Sequence, residues 1–298
     1  MQTKLKVDKA VKAILLVSAS FSILIVISIF VFIFRSSLPA FKEFGIQGLL
    51  GELTWRPANG MYGILAMVVG SVMVTLMALV LGVPLAIAAA VFLAEIAPRG
   101  VQAVVRPAVQ LLAGIPSVVY GLFGMVVLVP LVRRIPVTGN SGYGLLSAAI
   151  VLAVMILPTI TSISEDAIRA VPRSYKEASL ALGATHLQTI FQVLLPAAKS
   201  GIGAALILGI GRALGETMAM IMVIGNSVIL PAPLDNNPLT VFLSQARTLT
   251  GNIAVEINYA SGLHASALFA TGVVLFVLIM LVNVSARAII HRGNPSAG

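Results

Sequence analysis

Six long apolar runs separated by polar stretches set the rhythm of this 298-residue chain. Residues 13–34 carry no charge over 22 positions, enough for a helix to cross a hydrocarbon core about 30 Å thick. Residues 62–94 are uncharged over 33 positions, about 50 Å as a helix, so this run must tilt, kink at Pro84 or pass beyond the bilayer. In the third run, residues 107–132, Pro107 can open a helix and Pro116 predicts a kink or a broken span. Residues 143–163, 197–224 and 265–286 complete the set. The pattern predicts an all-α, polytopic membrane protein with six transmembrane helices. Residues 35–61 and 225–264 read as loops, the second with room for a short helix at 239–249, and 95–106 reads as a turn. Trp55, in the first loop, is placed either at the membrane interface or as a loop cover.

Residues 165–196 are the longest polar stretch between runs and predict an elbow of two short helices. Ser174–x–x–Glu177, after Pro172, and Thr185–x–x–Gln188 both read as capping boxes, in which side chain and backbone satisfy each other at a helix start. Gly183 falls where the first helix needs a C-terminal glycine. Tyr175, Ala178 and Leu182, then Leu187, Ile190, Phe191 and Leu194, give each helix an amphipathic face. The chain divides into residues 1–60, with the N-terminal segment, first span and outer loop, and residues 61–298, the transmembrane body carrying the elbow.

Composition agrees with a membrane protein. The chain is 59% hydrophobic and 10% charged, against about 25% charged in soluble domains, and its mean hydropathy is +1.06. There is no cysteine and so no disulfide. The apolar run continues past Ser18–Ala19–Ser20, which reads as an uncleaved first helix rather than a signal peptide. The net charge of +9 is not a nucleic-acid signal, because the basic residues flank the spans. Twelve lie on one side (Lys4, Lys6, Lys9, Lys12, Arg99, Arg106, Arg169, Arg173, Lys176, Lys199, Arg287, Arg292) and six on the other (Arg35, Lys42, Arg56, Arg133, Arg134, Arg247). That asymmetry puts both termini and the elbow in the cytoplasm of a cell whose inner membrane the chain spans.

The nineteenth basic residue is Arg212, within the fifth run, with Glu216 four residues on. On a continuous helix the two share a face. Arg212 lies thirteen residues after Lys199, roughly 20 Å along a helix and a little past mid-membrane. Intramembrane charges are costly and mark pathways. A guanidinium is a fixed cation with five donors, suited to an oxyanion. The alternative is an ion pair that helps helices pack. Ser71 and Thr75 share a face of the second run and either line a polar path or bond their own helix backbone. Gly211–x–x–x–Gly215 favours close helix approach. No lysine follows a glycine, so there is no Walker A loop; His186, His264 and His291 are too scattered for a metal cluster; and no nucleophile–base pair has usable spacing. Catalysis by this chain is not expected.

Glu177–Ala–Ser–x–x–x–Gly183, followed after nine residues by Val193–x–Leu–Pro196, resembles the EAA motif of ABC importer permeases, with Ser179 for the second alanine and Val193 for isoleucine. Gly211–Arg–Ala–Leu–Gly–Glu–Thr–Met–Ala219 resembles the signature of phosphate-specific permeases. Residues 111–121, Leu93–Ala–Glu–Ile–Ala–Pro98 and Ser261–Gly–Leu–His264 resemble their PstC-type rather than PstA-type subunit. The resemblance implies a type I ABC importer permease fold. It implies a PstA-like permease partner, two copies of a PstB-like ATPase holding ATP and Mg, a PstS-like phosphate-binding protein, and no cofactor on this chain. It gives Glu177, Ala178, Ser179 and Gly183 to ATPase coupling, and Arg212 and Glu216 to the phosphate path. Open alternatives are a permease for molybdate or sulfate, and an ATP-independent anion channel or carrier.

Overall fold

The first run has no helix breaker before Pro39 and forms one long helix, α1 (Gln2–Leu50), interrupted at Gly45 with φ 64°. In the computed structural model the backbone is described for residues 2–292 and side chains for residues 11–288. The side chains of Lys4, Lys6, Lys9, His291 and Arg292, used in the sequence reading, therefore lie outside the described residues. Helix α1 continues well into the stretch expected to be a loop. Packing drives the extension, since Ala40 and Leu49 are buried with Phe41 and Phe44 against Trp55 and Tyr62. A small antiparallel ribbon, β1 (Trp55–Arg56) and β2 (Met61–Tyr62), completes the outer turn.

Helix α2 (Leu65–Val91) ends in a π-helical turn, Phe92–Ile96. It packs along α6 (Leu145–Arg169), where Gly82 lets the α6 backbone at Ala153 approach and Val74, Ala78, Leu152, Ile156 and Ile160 form the main core. The polar stretch at 95–106 is not a turn but the start of α3 (Arg99–Gly114), with Pro107 inside it. Pro116 breaks the path, and α4 (Ser117–Phe123) leaves α3 at 95°, running on to α5 (Val129–Arg133). Among the described residues four unbroken helices are long and apolar enough to cross a membrane, and the total is six where each of two bent pairs forms one span.

Helix α6 runs past the expected elbow boundary to Arg169, because Glu165 is tied to Arg106 and Arg169. The elbow holds α7 (Arg173–Ala181), then α8 (His186–Thr189), a π-helical turn (Ile190–Leu194) and α9 (Leu195–Ala197). The Thr185–Gln188 capping box is formed. The Ser174–Glu177 box is not, because Pro172 takes the N-cap position and places Ser174 inside the helix. The chain then turns by 69° into α10 (Lys199–Gly215), stops, and resumes as α11 (Met218–Val223). A 3₁₀ turn (Pro238–Leu243) stands where the short outer helix was expected. The helix itself comes later, as α12 (Leu249–Glu256), capped by Thr248. Helix α13 (Gly262–Arg292) packs back on α1 through Phe30–Phe276 and Phe32–Phe269.

Candidate functional site

The middle of the bundle holds two helix breaks side by side. One is at Pro116 and the other at Glu216–Thr217. They meet where α4 crosses α11, so close that a Cβ on Gly121 would lie 2.8 Å from the Ala219 Cα. Tyr120 spans the first break by donating to the Leu112 carbonyl at 2.7 Å.

Arg212 and Glu216 were expected on one helix face. Glu216 instead lies just beyond α10 with extended ψ 128°. Its carboxylate accepts the Ala219 N–H at 3.2 Å, and its carbonyl accepts the Thr250 hydroxyl at 3.0 Å rather than a helical N–H. Among the described residues no ion pair joins Arg212 to Glu216. Arg212 is half-buried and donates to the Thr159 hydroxyl on α6 at 3.4 Å, a long bond. Tyr120 lies within electrostatic range of its guanidinium. A Cβ on Gly211 or Gly215 would meet nothing within 4 Å, so among the described residues none packs against that stripe; close approach occurs at Gly209, against Ile160.

Ser71 and Thr75 are buried on α2. The Ser71 hydroxyl bonds neither its own helix nor Arg212: it accepts the Leu249 N–H at 2.9 Å, one of the free donors at the start of α12. Helix α12 thus enters from the outer side, with Leu249 held by α2 and Thr250 by the break.

Glu256, at the far end of α12, is the centre of a network that sequence reading missed. It accepts Trp55 Nε1 at 2.9 Å and Arg247 Nη1 at 2.7 Å, and lies 2.8 Å from His264 Nε2. Trp55, 3% exposed, is therefore a buried residue whose indole N–H is spent on Glu256. Burial raises the Tyr62 pKa, and the Glu256 charge adds to the effect. The signals available in sequence were the single tryptophan and His264, but nothing in their spacing joined them to Glu256.

At the opposite end, Glu177 and Ala178 are exposed on α7, and Ser179 bonds Thr189 at 2.9 Å across the elbow. Gly183 adopts φ 86°, the left-handed turn conformation that suits glycine. Ile190 and Leu194 are buried, whereas Tyr175, Leu182, Leu187 and Phe191 are exposed, Leu182 at 89%. The expected amphipathic faces are thus split between the body and an outward apolar patch.

A sequence profile described as the binding-protein-dependent transport system inner membrane component matches residues 82–293. The chain belongs to that family. A probable ABC transporter permease protein of Bacillus subtilis (strain 168), YqgH, is 40% identical to it, covering 94% of this chain and 88% of its own. The phosphate transport system permease protein PstC of Pasteurella multocida (strain Pm70) is 34% identical, over 94% and 90%. Among solved structures, a bacterial ABC transporter involved in alginate import matches with TM-score 0.66 and 16% identity over 97% of this chain and 98% of that one. The inward-facing MetNI methionine ABC transporter matches with TM-score 0.56 and 25% identity over 78% and 94%. This binding-protein-dependent component therefore has the type I ABC importer permease fold and is a multi-pass transport permease. Membership of such importers implies ATPase and substrate-binding partners.

Proposed function

We propose that this chain is one of two permease subunits of an ATP-driven inorganic phosphate importer in the cytoplasmic membrane. Its partners are a PstA-like permease, two PstB-like ATPases that carry ATP and Mg, and a PstS-like binding protein on the outer side. The observation that carries the reading is Arg212, a mid-bundle guanidinium with one long hydrogen bond among the described residues, beside a helix face that Gly211 and Gly215 leave open. An oxyanion fits its spare donors. The similarity to phosphate permeases supports phosphate as that oxyanion.

The remaining parts have matching places. An apolar hollow of about 310 Å³, lined by Leu112, Ile115, Val119, Tyr120, Phe123 and Val154, lies inside the bend between α3 and α4, where the partner permease packs. The elbow patch of Tyr175, Leu182, Leu187 and Phe191 docks the ATPase, with Glu177 and Ala178 at the contact. ATP-driven movement of the ATPases rocks the bundle and opens the path to either side. Glu216 keeps a carboxylate near the path that repels a lingering anion.

The test is labelled phosphate uptake in cells lacking a high-affinity system, carrying this chain and its partner subunits. Arg212→Gln is expected to assemble at the wild-type level and abolish uptake. Equal uptake by both refutes the role of Arg212. No phosphate uptake by the assembled wild type, with molybdate or sulfate taken up instead, replaces the substrate.

A further inference from the structure

The stretch Leu93–Ala–Glu–Ile–Ala–Pro98 has no role in the path or the dock, yet it sits where the elbow meets the body. Helix α7 has no buried residue and stands off the bundle over a cavity of about 420 Å³. The ion pair between Lys176 Nζ and Glu95 Oε2, at 2.5 Å, crosses this gap. The His186 Nε2 on α8 lies 3.9 Å from the same carboxylate oxygen. Glu95 is only 12% exposed at its side chain, so it is held by the body while Lys176 and His186 belong to the elbow. It rides on the π-helical turn that ends α2, and π turns of this kind are frequent at functional sites. The same turn gives the Leu93 carbonyl to Arg169 at 2.7 Å, joining it to the end of α6.

Helix α2 runs from this turn to the outer side as 27 residues, roughly 40 Å. There Ser71 holds the Leu249 N–H, and a Cβ on Gly70 would lie 2.7 Å from the Arg247 carbonyl. The residue after Leu249 is Thr250, which holds the Glu216 carbonyl at the break. One rigid element thus connects the elbow to the segment seated on the mid-bundle site.

We propose that Glu95 is a positioning residue for transport: it ties α7 of the elbow to the end of α2, with His186 of α8 nearby, so that displacement of the elbow by the ATPase moves α2 and, through Ser71 and Leu249, the outer segment that holds Glu216. The proposal rests on the reading of the elbow as the ATPase dock, but not on phosphate as substrate.

The test uses the complete transporter in proteoliposomes. The first readout is phosphate delivered per ATP hydrolysed, for Glu95→Gln, Lys176→Glu and the exchange Glu95→Lys with Lys176→Glu. The chain has no native cysteine, so the second readout is labelling of a single cysteine placed by Met61→Cys, at an exposed outer position beside α2. The single variants are expected to keep their ATPases bound and hydrolysing while phosphate per ATP falls about fivefold or more. ATP-dependent labelling of the outer cysteine should disappear with it, and the exchange should restore both. Unchanged coupling in Glu95→Gln overturns the proposal. So do failure of the exchange to restore either readout, and loss of the ATPases from the single variants, which makes Glu95 a docking residue. If the wild type delivers no phosphate, the phosphate reading fails and the labelling readout decides the role of Glu95 alone.

Discussion

Replacing Arg247 by methionine tests whether the Glu256 network holds the outer side of the bundle. The side chains of Arg247 and Glu256 are 13% and 8% exposed, so the carboxylate cannot recover its lost partner from water. Removing one partner of a buried ion pair costs about 3–5 kcal/mol, because the other charge is left uncompensated. Trp55 and His264 still reach Glu256, which places Arg247→Met at the lower end of that range. The guanidinium also donates to the Asn226 carbonyl at 3.0 Å and to Asn252 Oδ1 at 3.0 Å, so one half-buried and one buried acceptor also lose a donor. At about 2–4 °C per kcal/mol, melting should fall by on the order of 10 °C. Adding Glu256→Gln removes the stranded charge, and the double variant should recover most of the loss. Trp55 is the only tryptophan and donates directly to Glu256, so its emission reports this site during thermal unfolding in detergent. The reasoning fails if Arg247→Met melts with the wild type, or if the double variant melts as early as the single one.

Two smaller perturbations probe the same region. Ser71→Ala leaves the buried Leu249 N–H without its acceptor, at a cost of about 1–3 kcal/mol; hydrogen exchange across residues 249–256 should accelerate while that of α6 stays unchanged. Tyr62 should ionise above its ordinary value near 10, because burial first and Glu256 second disfavour the phenolate. Since the folded value is raised, the stability this contributes is complete below the unfolded value and is lost as pH rises through the folded one. An alkaline titration of tyrosinate absorbance should show a late component that Tyr62→Phe reduces without abolishing, because burial and Glu256 raise Tyr259 as well.

The spans were legible because six apolar runs leave few other structures in a bilayer. The Thr185–Gln188 box and the turn at Gly183 were legible because both depend on residues adjacent in sequence. What was missed depends on distant partners. The extension of α1 to Leu50 rests on packing against Trp55 and Tyr62, and the extension of α6 rests on Arg106, 59 residues away from Glu165. Ser71 and Leu249 are 178 residues apart, and Trp55 and Glu256 are 201 apart. No periodicity within a window of twenty residues can announce such a pair. The Ser174 box failed for a local reason that was visible in principle: Pro172 itself takes the N-cap position, so the helix starts at Arg173 and Ser174 falls inside it.

The break after Gly215 changes what the charges in the fifth span can do. Had α10 continued, Arg212 and Glu216 would lie one turn apart on the same face and neutralise each other. Ending the helix there turns Glu216 onto the Ala219 N–H, while Thr250 takes its carbonyl, and Arg212 is left with one long bond to Thr159 among the described residues. The two buried acids, by contrast, are filled: Glu165 holds Arg106 and Arg169, and Glu256 holds Arg247, Trp55 and His264. Saturated carboxylates are rigid fastenings, and they lie towards the two ends of the bundle. Unspent hydrogen-bonding capacity lies between them, at the one arginine of the fifth run. A continuous helix would let the two charges spend themselves on each other, so the interruption is the feature that leaves the Arg212 donors available to the oxyanion proposed above.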